Sequence, residues 1–262
     1  MGASVILLPM ETAPQRSDLL RKLKNYLLFL KDCGYTEIPQ EIDLKIQSGK
    51  KRNPVPISPD SPAPETARPA AAIKDGSGPL AAIRQELGDC TRCKLCRGRK
   101  NIVFGSGNPN ADLVFVGEGP GADEDEQGLP FVGRAGKKLT EIIEKGMGLN
   151  RERDTYICNI VKCRPPGNRD PEADEIAACK PFLIKQLRAI QPRAIVALGK
   201  PAASTLLGRS VPITKERGTW HEFEGIQLML TFHPAYLLRF YTLENRRAVL
   251  DDMKKVLEVL QK

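Results

Sequence analysis

Four cysteines stand out by their spacing. Cys90 and Cys93 form a C-x2-C pair, while Cys163 and Cys179 lie sixteen positions apart. A C-x2-C turn presents two thiolates on one side of a loop, an arrangement that both zinc and iron–sulfur sites use. Zinc usually takes a second close pair, but here one partner belongs at a strand exit and the other within a helix. That asymmetry favours a cluster cradled by separate elements without settling the metal. Cys96 is an alternative to Cys93 as a ligand. Cys158, inside the apolar run Tyr156–Ile160, reads as a small core side chain, and Cys33 as an ordinary thiol.

A second group of residues suits a planar, polar ligand. Gly117-Glu118-Gly119-Pro120-Gly121 follows the apolar run Leu113–Val116 and leads on to Leu129-Pro130-Phe131-Val132-Gly133. Glycines let backbone N–H groups approach a ligand, and Phe131 offers a flat face for stacking. Asn159 ends another apolar run and opens Ile160-Val161-Lys162-Cys163-Arg164-Pro165-Pro166-Gly167-Asn168. Its amide carries a donor and an acceptor on one planar head, suited to reading a base edge. His233, one of only two histidines, follows Leu228–Phe232 and opens Pro234-Ala235-Tyr236-Leu237-Leu238-Arg239. It is aimed at the same sheet edge as Gly117 and Asn159; His221, beside Trp220, reads as structural.

Positioning these groups requires an alternating scaffold. The pattern predicts strands near 112–117, 154–161, 193–198 and 226–232, and helices near 80–88, 134–147, 171–190, 200–207 and 245–261. Strands separated by helical patterns indicate a parallel sheet with helices on both faces, whose ligand loops lie at strand C-termini. Ahead of this body, residues 1–45 hold a basic amphipathic helix over 16–34, expected to dock on the body or to engage a partner. Residues 46–79, rich in Pro, Ala and Ser, read as a flexible, disordered linker. The main domain is then 80–262.

The totals agree with a nucleic-acid partner. Lys and Arg exceed Asp and Glu by 40 to 32, a net charge of +8, and 41% of the 262 residues are hydrophobic. Excess positive charge suits a polyanion. No apolar run approaches the ~20 residues of a membrane span, so no membrane association is expected. The N-terminus lacks the charged region and cleavage site of a signal peptide. A cytoplasmic chain follows, whose seven cysteines stay out of disulfides.

Taken together, Gly117–Gly121, Pro130–Gly133, Asn159–Pro166, His233–Arg239 and the four-cysteine spacing resemble the family 4 uracil-DNA glycosylases, the iron–sulfur branch of bacteria and archaea. The resemblance covers roughly 80–250 in collinear order. It implies a three-layer α/β/α fold with a four-stranded parallel sheet, and a structural 4Fe–4S cluster bound by Cys90, Cys93, Cys163 and Cys179. Cys96 and Cys158 fall outside the family's ligand positions.

The resemblance also implies the chemistry. A monomer acting on uracil-containing DNA, single- or double-stranded, extrudes the deoxyuridine, at a cost of a few kcal/mol. Tyr236, Leu237 and Leu238 wedge the duplex and Arg239 lies near phosphates. Phe131 stacks on the flipped ring, Asn159 reads its O4/N3 edge, and Gly117, Glu118 and Gly119 line the pocket. His233 donates to uracil O2, where negative charge develops. The best-known branch of the superfamily carries an aspartate where this chain has Gly119. Water positioning therefore weakens or passes elsewhere, with Glu118, Glu124 and Asn168 as the candidates. Residues 162–167 contain no histidine, so turnover is expected rather than the covalent trapping of a related branch.

Overall fold

The computed structural model of the chain describes residues 16–33, 35 and 78–261. Apart from its last two positions, the expected linker lies outside the described residues, and α2 already begins at Pro79. In chain order the helices are α1 (Arg16–Asp32), α2 (Pro79–Leu87), α3 (Ala122–Gln127), α4 (Arg134–Glu141), α5 (Arg151–Asp154), α6 (Ala173–Ile190), α7 (Gly199–Leu207), α8 (Ile213–Glu216), α9 (Pro234–Arg239) and α10 (Leu243–Leu260). The strands are β1 (Ser106–Gly107), β2 (Leu113–Gly117), β3 (Thr155–Asn159), β4 (Ala194–Leu198), β5 (Trp220–Phe223) and β6 (Ile226–Thr231).

The sheet order is β1-β3-β2-β4-β6-β5. The inner four strands run parallel, as expected, but β1 and β5 add antiparallel edges, so the sheet is six-stranded and mixed rather than four-stranded. Both edges escape a reading built on apolar runs. The two residues of β1 are too short to show a period. β5 carries Trp220-His221-Glu222-Phe223 with one face toward solvent. A two-residue loop, Glu224-Gly225, turns β5 into β6 with φ of 50° and 81°, the doubly positive geometry that matches strand twist in a tight hairpin.

The inner strands are apolar at almost every position because helices cover both faces. Alternate side chains divide between two cores. Val114, Val116, Ile195 and Leu228 pack with Leu183 and Leu187 of α6 and Ala203 and Leu206 of α7. Leu113, Phe115, Val196 and Met229 pack with Leu139 of α4, Leu237 of α9 and Met253 of α10. Each fully buried aliphatic side chain contributes about 1.5–3 kcal/mol. The parallel strands follow the order second, first, third, fourth, and the chain's reversal of direction beside β2 places a crevice at the strand C-termini.

Helix α1 docks through its C-terminal half. Phe29, Leu30 and Cys33 bury against Leu250, and Arg247 Nε donates to the Cys33 carbonyl at 2.9 Å. Among the described residues no helix is long and apolar enough to cross a membrane.

Candidate active site

Gly117 and Asn159 are register partners on the last rung of the β2–β3 ladder, and His233 follows β6 two residues beyond Thr231. The three strand ends open on one cleft of about 260 Å³, lined by Phe131, Asn159 and His233 together with Glu118, Gly119 and Asn168. That is slightly below the ~300–1,000 Å³ of drug-sized pockets, a scale suited to a single base. Gly117 does not itself line the cleft but packs against two residues that do: an added Cβ there would collide with Asn159 Oδ1 and the Phe131 ring. Only a residue without a side chain permits that approach.

Asn159 is 1% exposed, yet its Oδ1 has no hydrogen-bond partner. A buried, unpaired acceptor is costly unless a ligand completes it. The Asn159 backbone is anchored by Lys162, whose Nζ donates to its carbonyl at 2.7 Å. Phe131 holds its ring against His233, with centroids 5.7 Å apart and planes inclined at 35°. It does so with φ at 53°, a left-handed conformation that is an outlier for a bulky residue.

His233 N-caps α9: its Nδ1 accepts the Ala235 N–H at 3.1 Å. A neutral imidazole that accepts at Nδ1 carries its proton on Nε2. Burial, reinforced by the nearby Arg239 charge, pushes His233 down to about 4. The ring is therefore a neutral donor at neutral pH.

The three expected water-positioning groups have different surroundings. Burial raises the Glu118 carboxyl to about 7, aided by the negative charge of Asp170 and a hydrogen bond to it. Asp170 was not among the expected site residues, and its distance along the chain from Glu118 offers no signal. Asn168 lines the cleft with φ at 56°, its Oδ1 accepting from Arg164 Nε at 2.8 Å. Glu124 has both carboxylate oxygens hydrogen-bonded. Its Oε1 accepts the Val132 and Gly133 N–H groups, each at 2.9 Å, and its Oε2 the Gly121 N–H at 3.0 Å. It ties the two glycine-rich loops together while also lining the cleft.

The DNA-facing expectation needs one correction. Leu237 is 2% exposed and packs in the core beneath α9, because the helical turn directs it toward Leu139 and Met253. Leu238 is partly exposed. Tyr236 is partly exposed as well, stacked between Phe232 and Phe240 at 4.5 and 4.8 Å. Arg239 is exposed, and the neighbouring Phe240 and Tyr241 are each 54% exposed.

The four spaced cysteines come from three segments and lie near enough to act on one another's charge. Cys163 leaves β3, Cys179 lies in α6, and Cys90 and Cys93 flank the turn after α2. Burial raises Cys163 to about 11, with Cys179 and Cys93 adding to the rise; burial also raises Cys179, with further contributions from Cys93 and Cys90. Donors surround the sulfurs: Arg92 Nη1 on Cys90 at 3.3 Å, Arg99 Nη1 on Cys163 at 3.5 Å, and the Lys162 N–H on Cys179 at 3.3 Å. Ion pairs connect this region to the cleft. Lys94, between Cys93 and Cys96, pairs with Asp174 at 3.3 Å and lies 3.9 Å from Glu175. Buried Glu175 accepts both guanidinium arms of the cleft residue Arg169, at 2.6 and 2.8 Å.

Residues 104–260 match the model of the uracil DNA glycosylase superfamily. A type-4 uracil-DNA glycosylase of Thermotoga maritima is 48% identical over 182 residues, 69% of this chain and 94% of that protein. One of Saccharolobus solfataricus is 45% identical over 190 residues, 69% of this chain and 86% of that protein. A type-5 uracil-DNA glycosylase of Pyrobaculum aerophilum is 32% identical over 147 residues, 50% of this chain and 64% of that protein. The chain belongs to the type-4 uracil-DNA glycosylases of the uracil-DNA glycosylase superfamily.

Proposed function

We propose that the chain extrudes deoxyuridine from DNA and hydrolyses its N-glycosidic bond, releasing uracil and leaving an abasic site for base-excision repair. The observation that carries this reading is the convergence of Phe131, Asn159 and His233 on one cleft at the C-terminal edge of the sheet. Every group belongs to a single chain, and the unit that acts is the body from about residue 80 onward.

The Phe131 and His233 ring centroids lie 5.7 Å apart, so the base lies over the Phe131 face with His233 at its edge. The unpaired Asn159 Oδ1 accepts uracil N3–H, and the amide N–H donates to O4. As the glycosidic bond stretches, positive charge builds on the sugar and negative charge on uracil O2. The neutral His233 Nε2–H donates to that oxygen. A preorganised donor of this kind contributes about 2.7–4 kcal/mol. Glu118, with its proton equilibrium shifted to about 7, and Asn168 flank the water that attacks C1′. The carboxylate form of Glu118 also favours the sugar cation.

The cysteine set fits a 4Fe–4S cluster. Four gathered thiols meet three N–H donors at their sulfurs, the environment that accompanies cluster thiolates. Among the described residues no group of three or more His, Cys, Asp or Glu is gathered closely enough for a single ion, and a four-iron cluster spreads its thiolates more widely than one ion does. Cys90, Cys93, Cys163 and Cys179 would hold it. Its contribution when bound is structural, cross-linking the 90–96 turn, the exit of β3 and α6. Lys94, Glu175 and Arg169 carry that order to the cleft wall.

The test is uracil release from a uracil-containing oligonucleotide by anaerobically purified protein, with iron and sulfide counted on the same sample. Release without added cofactor, with four irons per chain, is expected. DNA binding without release would overturn the catalytic reading in favour of a damage-recognition module.

A further inference from the structure

We propose that Arg151 is a positioning residue for base stacking, its guanidinium presetting the Phe131 ring before DNA arrives. The proposal rests on the glycosylase reading above. Arg151 opens α5 and does not line the cleft, and Asn150 caps that helix by accepting the Glu152 and Arg153 N–H groups at 3.1 and 2.8 Å. The Arg151 side chain is largely buried, and its hydrogen bonds run to the stacking loop. Nη1 donates to the Phe131 carbonyl at 2.9 Å and to Thr140 Oγ1 at 2.7 Å, and Nη2 donates to the Pro130 carbonyl at 2.8 Å. Thr140 in turn donates to the Gly136 carbonyl at 3.1 Å.

The loop is thus gripped from both sides. A cation takes the carbonyls of residues 130 and 131, and the Glu124 carboxylate takes the N–H groups of 132 and 133. Gly136 lets α4 pass directly beneath the Phe131 carbonyl, where an added Cβ would collide with it. This clamp accounts for a bulky aromatic held at φ 53°, a conformation that persists only where the surroundings over-determine it. A planar fork is required, because two adjacent carbonyls and a hydroxyl must be met at once; a lysine ammonium is a point charge with no such shape. Without the clamp Phe131 would relax toward negative φ and its face would leave the base plane.

A double-mutant cycle separates positioning from general stability. Arg151→Met should lower kcat/KM for uracil release by about 100-fold, the scale of a 1 Å misplacement, and Arg151→Lys should restore only part of it. In a Phe131→Ala background the same Arg151→Met change should have little further effect, because the ring it positions is gone. Equal losses in both backgrounds, or losses that simply track Tm, overturn the proposal. A crystal structure of Arg151→Met, or of Arg151→Lys should the first fail to fold, gives a readout independent of activity. Phe131 should leave the left-handed region, and Phe131 unmoved at positive φ overturns the proposal whatever the kinetics. Failure of the parent to release uracil counts against the glycosylase reading instead, and the Phe131 geometry still decides the role of Arg151.

Discussion

Asn159 and Gly117 face one another on the last rung of the β2–β3 ladder, and the Asn159 Oδ1 occupies the space a side chain at 117 would need. The strand end is therefore built around an acceptor that the protein itself does not satisfy. Asn159→Ala should lower uracil release about 5–150-fold, the effect of about 1–3 kcal/mol lost with a buried hydrogen bond, while Tm stays close to the parent's. A large fall in Tm with activity intact would assign Asn159 to folding rather than to the base.

The pH profile should separate the two titrating groups of the cleft. His233 is neutral at all pH values well above about 4, so its titration leaves no inflection near the usual histidine value. Glu118 loses its proton near 7, and the carboxylate is the form that favours the sugar cation. The rate should therefore rise with pH through about 7 and level off above it. Glu118→Gln should be slower and lose that inflection. A rate that falls through 7, or an inflection that survives in Glu118→Gln, contradicts this assignment.

Ligand identity among the cysteines is open to a direct count. Cys163→Ser and Cys179→Ser should purify with depleted iron and a lower Tm. Cys96→Ser and Cys158→Ala should keep four irons and the parent's visible absorbance. Iron loss in Cys96→Ser would transfer a ligand role to Cys96.

Adjacent leucines in α9 should behave differently. Leu237 is buried in the same core cluster as Leu139 and Met253, so Leu237→Ala should destabilise by about 2–5 kcal/mol, read as a lower midpoint in chemical denaturation. Leu238 is partly exposed beside the aromatic pair Phe240 and Tyr241. Leu238→Ala should leave the midpoint unchanged and slow release from duplex DNA by about tenfold, a fraction of the few kcal/mol that extrusion costs. Single-stranded substrate should be cleaved at close to the parent's rate. Equal losses on both substrates would remove Leu238 from the wedge.

The central strands and the rim of the cleft were legible in the chain because burial on both faces leaves uninterrupted apolar runs. Leu113–Val116 and Ala194–Leu198 could be read as strands without any partner. Glycine loops and lone polar residues at the ends of such runs then mark the rim. The edges β1 and β5 were not legible, since one is two residues long and the other half-solvated. Leu237 was assigned to DNA because the His233–Arg239 stretch fixes which residues are near the duplex but not which way each side chain turns. Asp170 and Arg151 were invisible for a different reason: each acts on a partner brought near only by the fold, Glu118 in one case and the Phe131 backbone in the other.

The most direct test of the cleft is a crystal structure of the protein with free uracil. The pyrimidine should lie over Phe131 with its O4/N3 edge on the Asn159 amide and its O2 within about 3.2 Å of His233 Nε2. Uracil bound elsewhere, or bound here with His233 Nε2 facing away from O2, would contradict the account.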